Sequence, residues 1–212
     1  MEPDDQRAVD AWCEVASSRP LVVPEPDSAG LSTDPFPMLD DQLGVLEAWQ
    51  AGLPKGERRL AERLVALAHR LADSTSARSL LHGDLHDENI LLGGDGTFCA
   101  IAPKGVWGDP AYEPACFLMN RWTRTPAPSP PMAVALAKRL ELNARRVLGW
   151  TLVHTALSLA WSEEDDGVAA SASDPRRAIL RQARDIFSGR AIGLKEAAAG
   201  SVDDPGDLAG CV

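Results

Sequence analysis

Apolar positions recur at helical spacing through the first half of the chain. In LDDQLGVLEAWQ, Leu39, Leu43, Leu46 and Trp49 share one face, which predicts a helix over residues 39–50. Asp40 or Asp41 would sit at its positive end, and Gly52 and Pro54 would stop it. A second helix is predicted over 55–74, where Leu60, Leu64, Leu67 and Leu71 form a core stripe and Arg58, Arg59, Glu62 and Arg63 stay outside. Two short apolar runs, 90–92 and 98–101, flank the turn GGDG and predict a β-hairpin. Such a ribbon holds Asp84, Asn89 and position 102 in register at its ends.

Beyond the hairpin, Asp109 followed by Pro110 marks a helix start, a capping carboxylate ahead of a residue pre-set for the first turn. Tyr112, Phe117, Leu118 and Trp122 supply its packing face, and Pro114 predicts a kink. TRTPAPSPP, 123–131, is a Pro-rich loop. Residues 132–148 predict a basic amphipathic helix, and 149–162, apolar nearly all round, a buried one. Residues 175–188 predict a last helix. The segment 1–35 is expected to be an irregular linker with a short helix over 5–17, because its Pro, Gly, Ser and Asp content opposes regular structure. From 189 to 212 the chain turns small and acidic, the composition of a disordered tail.

The chemistry concentrates in the loop HGDLHDEN ahead of the hairpin. His82, after Leu80 and Leu81, is expected to point into the core and shape the loop; His86 and Asp87 are more exposed. His82, Asp84, His86 and Asp87 could together ligate zinc, but their order does not follow an HxHxDH loop.

HGDxxxxN, the hairpin and the following PKGxxGDPxYE run together resemble the catalytic hairpin of the aminoglycoside phosphotransferases, and most closely the streptomycin 6-kinase and hydroxyurea phosphotransferase branch. The resemblance covers residues 36–188. It implies an α+β, mostly helical fold: a protein-kinase-like C-terminal lobe with a short catalytic hairpin, its N-terminal lobe missing. No GxGxxG, no GxxxxGK[ST] and no alternating strand pattern precedes residue 36. It also implies ATP-dependent phosphoryl transfer to a hydroxyl of an aminoglycoside-like molecule, assisted by Mg2+. Asp84 matches the catalytic base and Asn89 the first metal ligand. The second metal carboxylate belongs at position 102, in the family's IDPKG, and this chain has Ala102. A methyl group cannot bind a hard cation, and the loss is on the order of 3 kcal/mol of charge stabilisation. The implied enzyme is therefore truncated and impaired; an inactive pseudokinase, at most a binding domain, is the alternative. In the same frame Asp109 would accept amides of the catalytic loop, while Lys104 and His86 would approach the phosphates. The acidic run Glu163, Glu164, Asp165 and Asp166 would meet a cationic substrate. Apolar surface exposed by the missing lobe would favour a homodimer or a partner chain that supplies that lobe.

Composition narrows the partners. Of 212 residues, 45% are apolar and 25% charged, an ordinary globular balance for one domain. A formal charge of −10 speaks against nucleic acid and anionic membranes and suits a polycationic substrate. The start MEPDDQRAVD is acidic where a signal peptide is basic and then apolar, so a cytoplasmic protein is expected. Cys13, Cys99, Cys116 and Cys211 form no CxxC pair and read as reduced thiols, Cys99 and Cys116 in apolar settings.

Overall fold

The computed structural model of the chain describes residues 3–18, 36–124 and 130–187. The expected linker over 19–35, most of the Pro-rich loop and the tail at 189–212 lie outside the described residues. The elements run α1 (Pro3–Ser18), α2 (Leu43–Gly52), α3 (Lys55–Asp73), β1 (Ser79–Leu81), β2 (Ile90–Leu92), β3 (Phe98–Ala100), β4 (Val106–Gly108), α4 (Tyr112–Arg124), α5 (Pro130–Arg139), α6 (Ala144–Asp166) and α7 (Pro175–Phe187). A 3-10 turn, Leu39–Gln42, leads into α2, with the Asp41 carboxylate accepting the Met38 N–H.

Helix α6 is the axis, with α2, α3, α4, α5 and α7 packed around it. Its residues from Val147 to Leu157 are buried without interruption, as expected for a stretch with little polar face. Its limits differ from the pattern-based ones. The single helix expected over 132–148 is broken: Leu142 N–H donates back to the Ala137 carbonyl, Glu141 takes a left-handed φ of 56°, and α6 begins afresh. Asn143 causes the restart. Its side-chain oxygen accepts the N–H groups of Arg145 and Arg146 at 2.9 and 3.1 Å, an N-cap that competes with continuing the helix. The far end runs through the acidic run to Gly167, which closes the helix in the left-handed conformation.

The strands form two antiparallel pairs. β2 and β3 make the expected hairpin, in the register Leu91↔Cys99. β1 pairs with β4, Leu80 opposite Trp107. This second pair was not foreseen, since three residues per strand are too few for an alternating pattern. It closes tightly: a Cβ on Gly108 would stand 2.8 Å from Leu39 Cβ. Cys99, expected in an apolar setting, is exposed on the hairpin, while Cys116 is buried.

Helix α1, where a short helix is expected over 5–17, joins the core. Val9, Trp12, Cys13 and Val15 are buried, Trp12 lies against Phe117 with ring centroids 5.4 Å apart, and its Nε1–H donates to the Leu85 carbonyl. Pro114 produces no defect. Asp109 Oδ1 accepts the Ala111 N–H and α4 starts at Tyr112, so Pro114 falls in the first turn, where an amide has no intrahelical acceptor.

Asn143→Ala removes the acceptor for two amides at the start of the central helix. A loss of about 1 kcal/mol is expected, read as a lower urea midpoint with unchanged m-value.

Candidate active site

The loop 82–89 is built on a buried carboxylate. Its first two amides, His82 N–H and Gly83 N–H, point inward and donate to Glu113 at 2.6 and 3.2 Å. Glu113 lies in the first turn of α4, buried, and was not singled out from sequence. Asp109, expected to take these amides, faces the other way. Beyond capping Ala111, its second oxygen receives Arg146 Nε and Trp150 Nε1, a bond from each of two α6 residues. Arg146 also donates to the Leu71 carbonyl and to Thr75 Oγ1, tying the end of α3 to the same point. Asp109 stands before the helix, beside α6, whereas Glu113 is one turn further and under the loop.

His82 is buried and uses both ring nitrogens: Nε2 bonds the Ile101 carbonyl at 2.8 Å and Nδ1 accepts the Asp84 N–H at 3.3 Å. This pattern puts its proton on Nε2 and leaves no nitrogen for zinc. Among the described residues no group of three or more His, Cys, Asp and Glu side chains is placed to hold a metal ion. Gly83 has φ 79°, and a Cβ there would meet Val106 Cγ1 at 2.9 Å, so only glycine fits beneath β4.

Asp84 and Asn89 are brought together. Asn89 Nδ2 donates to the Asp84 carbonyl at 2.8 Å, which fixes the carboxamide. The Asp84 side chain is 31% exposed, open to a small molecule. His86 stands beside it, Nε2 3.5 Å from Asp84 Oδ1, while its Nδ1 accepts the Glu88 N–H. Arg121 reaches Asp87 at 3.1 Å and Arg124 reaches Glu88 at 2.6 Å, clamping the loop's outer edge to α4.

Position 102 lies directly beyond the hairpin. Ile101 N–H donates to the Asn89 carbonyl at 2.9 Å, so residue 102 follows the strand partner of Asn89. Ala102 is exposed and holds a left-handed φ of 56°. That conformation costs an alanine about 1–2 kcal/mol and is far easier for Asp, Asn or Gly. The left-handed backbone suits Asp, Asn or Gly better than alanine, and the methyl offers no oxygen. A Mg2+ ion bridging phosphates is ordinarily held by one or two protein carboxylates, and position 102 supplies none. Lys104 and Gly105 sit close by, their amides on the His82 carbonyl; the Lys104 side chain is exposed. A Cβ on Gly105, φ 68°, would run into the Phe36 ring.

Beneath the loop, Tyr112 Oη and His154 Nδ1 are 2.8 Å apart. Burial, with a smaller contribution from His86, pushes the His154 imidazole down to about 4, so it is neutral near pH 7.

The acidic run is not brought to this loop. Glu163 lies nine residues past His154 on α6, about 13 Å of helical rise. Its carboxylate is occupied by Trp49 Nε1, Arg177 and the Ala170 N–H. Glu163 and Glu164 line a separate cavity of about 950 Å³ among α2, α3, α6 and α7. Asp165 and Asp166 are exposed.

Two outcomes are expected. Glu113→Ala leaves two loop amides without their acceptor and costs about 3 kcal/mol in denaturant titration, whereas Glu113→Gln retains an acceptor and costs less. Lowering the pH from 7 to 5 destabilises the protein, because the unfolded state protonates His154 near its ordinary 6.5 and the folded state does not until about 4. His154→Gln should remove about 2 kcal/mol of that pH dependence, seen by comparing urea midpoints at both pH values.

Comparison with known proteins gives the family. The family model for aminoglycoside/hydroxyurea antibiotic resistance kinase matches residues 1–167, α1 included. A streptomycin 6-kinase of Streptomyces griseus is 33% identical over 100 residues, covering 44% of this chain and 33% of that protein. A hydroxyurea phosphotransferase of Kitasatospora aureofaciens is 32% identical over 133 residues, 59% of this chain and 36% of that one. A streptomycin 3''-kinase of Klebsiella pneumoniae is 33% identical over 151 residues, 58% of this chain and 56% of that one. The chain thus spans about a third to a little over half of these relatives. A choline kinase structure from Streptococcus pneumoniae superposes with a TM-score of 0.54 at 12% identity, covering 92% of this chain and 63% of that one, which places the fold among the kinase-like folds. The chain belongs to the aminoglycoside/hydroxyurea antibiotic resistance kinase family.

Proposed function

We propose that this chain is the base-bearing part of an ATP-dependent O-phosphotransferase for an aminoglycoside-like, streptomycin-type molecule, and that its turnover is impaired. The observation that carries the reading is the pairing of Asp84 with Asn89 at one end of the hairpin, with the Asp84 carboxylate open to solvent. In that role Asp84 accepts the proton of the substrate hydroxyl as its oxygen attacks the γ-phosphorus of ATP. The loop amides held by Glu113 and the His82 bridge to Ile101 keep that carboxylate from swinging away. The net charge of −10 favours a polycationic acceptor.

The impairment follows from position 102. A phosphate-bridging cation would find Asn89 but no carboxylate opposite it, a deficit on the order of 3 kcal/mol, or about a hundredfold in rate. Leu91, Leu92, Ile101 and Phe36 are exposed beside the hairpin, apolar surface of the kind a nucleotide lobe or a second copy of this chain would cover. The same Ala102 favours the second reading, an inactive pseudokinase acting at most as a binding or interaction domain.

Ala102→Asp separates the two. Its left-handed backbone accepts the new residue without strain, so stability should hold or rise by about 1 kcal/mol. ADP release from ATP, Mg2+ and streptomycin should increase about a hundredfold over the parent chain, and Asp84→Asn should abolish the gain. No gain, together with no rise in melting temperature on adding Mg2+ and ATP, would leave the pseudokinase.

A further inference from the structure

Tyr112, Cys116 and His154 lie buried under the catalytic loop without a part in the chemistry above. Glu113 and Cys116 are three residues apart on α4 and therefore share a face. They take opposite sides of Gly83. Glu113 accepts its N–H, and Cys116 Sγ lies 3.7 Å from its carbonyl oxygen. That carbonyl belongs to the peptide leading into Asp84, whose N–H is held by His82 Nδ1. The last peptide before the carboxylate is thus gripped at both its polar atoms.

A thiol has one proton, and Cys116 has three partners within reach: the Gly83 carbonyl, His154 Nδ1 at 3.9 Å, and the Tyr112 hydroxyl. An imidazole nitrogen has one lone pair in the ring plane. Tyr112 Oη, 2.8 Å away, is far better placed to occupy it. The rings keep this arrangement, since Tyr112 stands edge-on to both Trp150 and His154.

We propose that Tyr112, His154 and Cys116 form a positioning relay: Tyr112 saturates His154 Nδ1, the Cys116 thiol therefore donates to the Gly83 carbonyl, and the peptide entering Asp84 is held. None of the three touches substrate; they act through Gly83. Burial supports the proton placement, raising the Tyr112 hydroxyl and the Cys116 thiol well above their ordinary values so that both keep their protons, while His154 stays neutral. The inference rests on Asp84 being the catalytic base. Backbone amide exchange nevertheless reads the loop whether or not the chain turns over, so a silent enzyme with a protected Asp84 amide would count against the proposed function and not against the relay.

The test uses the full chain. In the unaltered protein, the ¹⁵N shifts of His154 should show Nδ1 unprotonated; a protonated Nδ1 would overturn the relay. Cys116→Ala and Cys116→Val, the second filling the space without a donor, should each speed exchange of the Asp84 amide about tenfold relative to amides of α6. Cys116→Ser should restore protection. Tyr112→Phe, with Cys116 intact, should reproduce the same selective acceleration by freeing Nδ1 for the thiol. An Asp84 amide as protected in Cys116→Val as in the parent chain, or unaffected by Tyr112→Phe, would show that packing alone holds the loop and would sink the proposal.

Discussion

The inward-facing amides of His82 and Gly83 impose the constraint on which the site depends. Two adjacent N–H groups at the start of a loop, turned away from solvent, must find an acceptor, since leaving them unpaired costs several kcal/mol. Glu113 meets both, from the first turn of α4. Its placement is in turn set by Asp109, which caps α4 and is locked to α6 through Arg146 and Trp150. The line of dependence runs from the buried helix α6, through Asp109 to α4, through Glu113 to the loop, and so to Asp84.

The outer side of the loop is held differently. Arg121 and Arg124 pair with Asp87 and Glu88 in partly exposed positions, where each contact contributes at most about 1 kcal/mol. Trp12 reaches Leu85 from α1. Rigid support lies beneath and softer contacts lie around, an arrangement suited to a carboxylate that keeps its position while its surroundings admit a substrate.

Ala102 sits in a conformation that does not suit it. Its backbone takes the left-handed turn that an aspartate or asparagine adopts readily, while its methyl gains nothing from that turn. The conformation is imposed by its neighbours: Ile101 is held by the Asn89 carbonyl on one side, and Lys104 and Gly105 by the His82 carbonyl on the other.

Local patterns in the chain determined the helical stripe of α3, the hairpin register and the juxtaposition of Asp84 with Asn89. Each depends on periodicity or on a turn of a few residues, interactions that close within one element. The carboxylate beneath the loop was not legible in this way. Asp109 and Glu113 are both acidic and four residues apart, and which one meets the loop depends on where α6 presses against α4. For the same reason the boundary at Asn143, the pairing of β1 with β4 and the burial of α1 emerge only in three dimensions. Side-chain capping there competes with helix continuation, strands of three residues carry no period, and Trp12 finds its partners in Leu85 and Phe117, far along the chain. What the sequence alone decided was therefore the identity of the candidate groups, and what tertiary packing decided was which buried partners hold them, because a hydrogen-bond acceptor serves a distant loop only once the helix bearing it has docked.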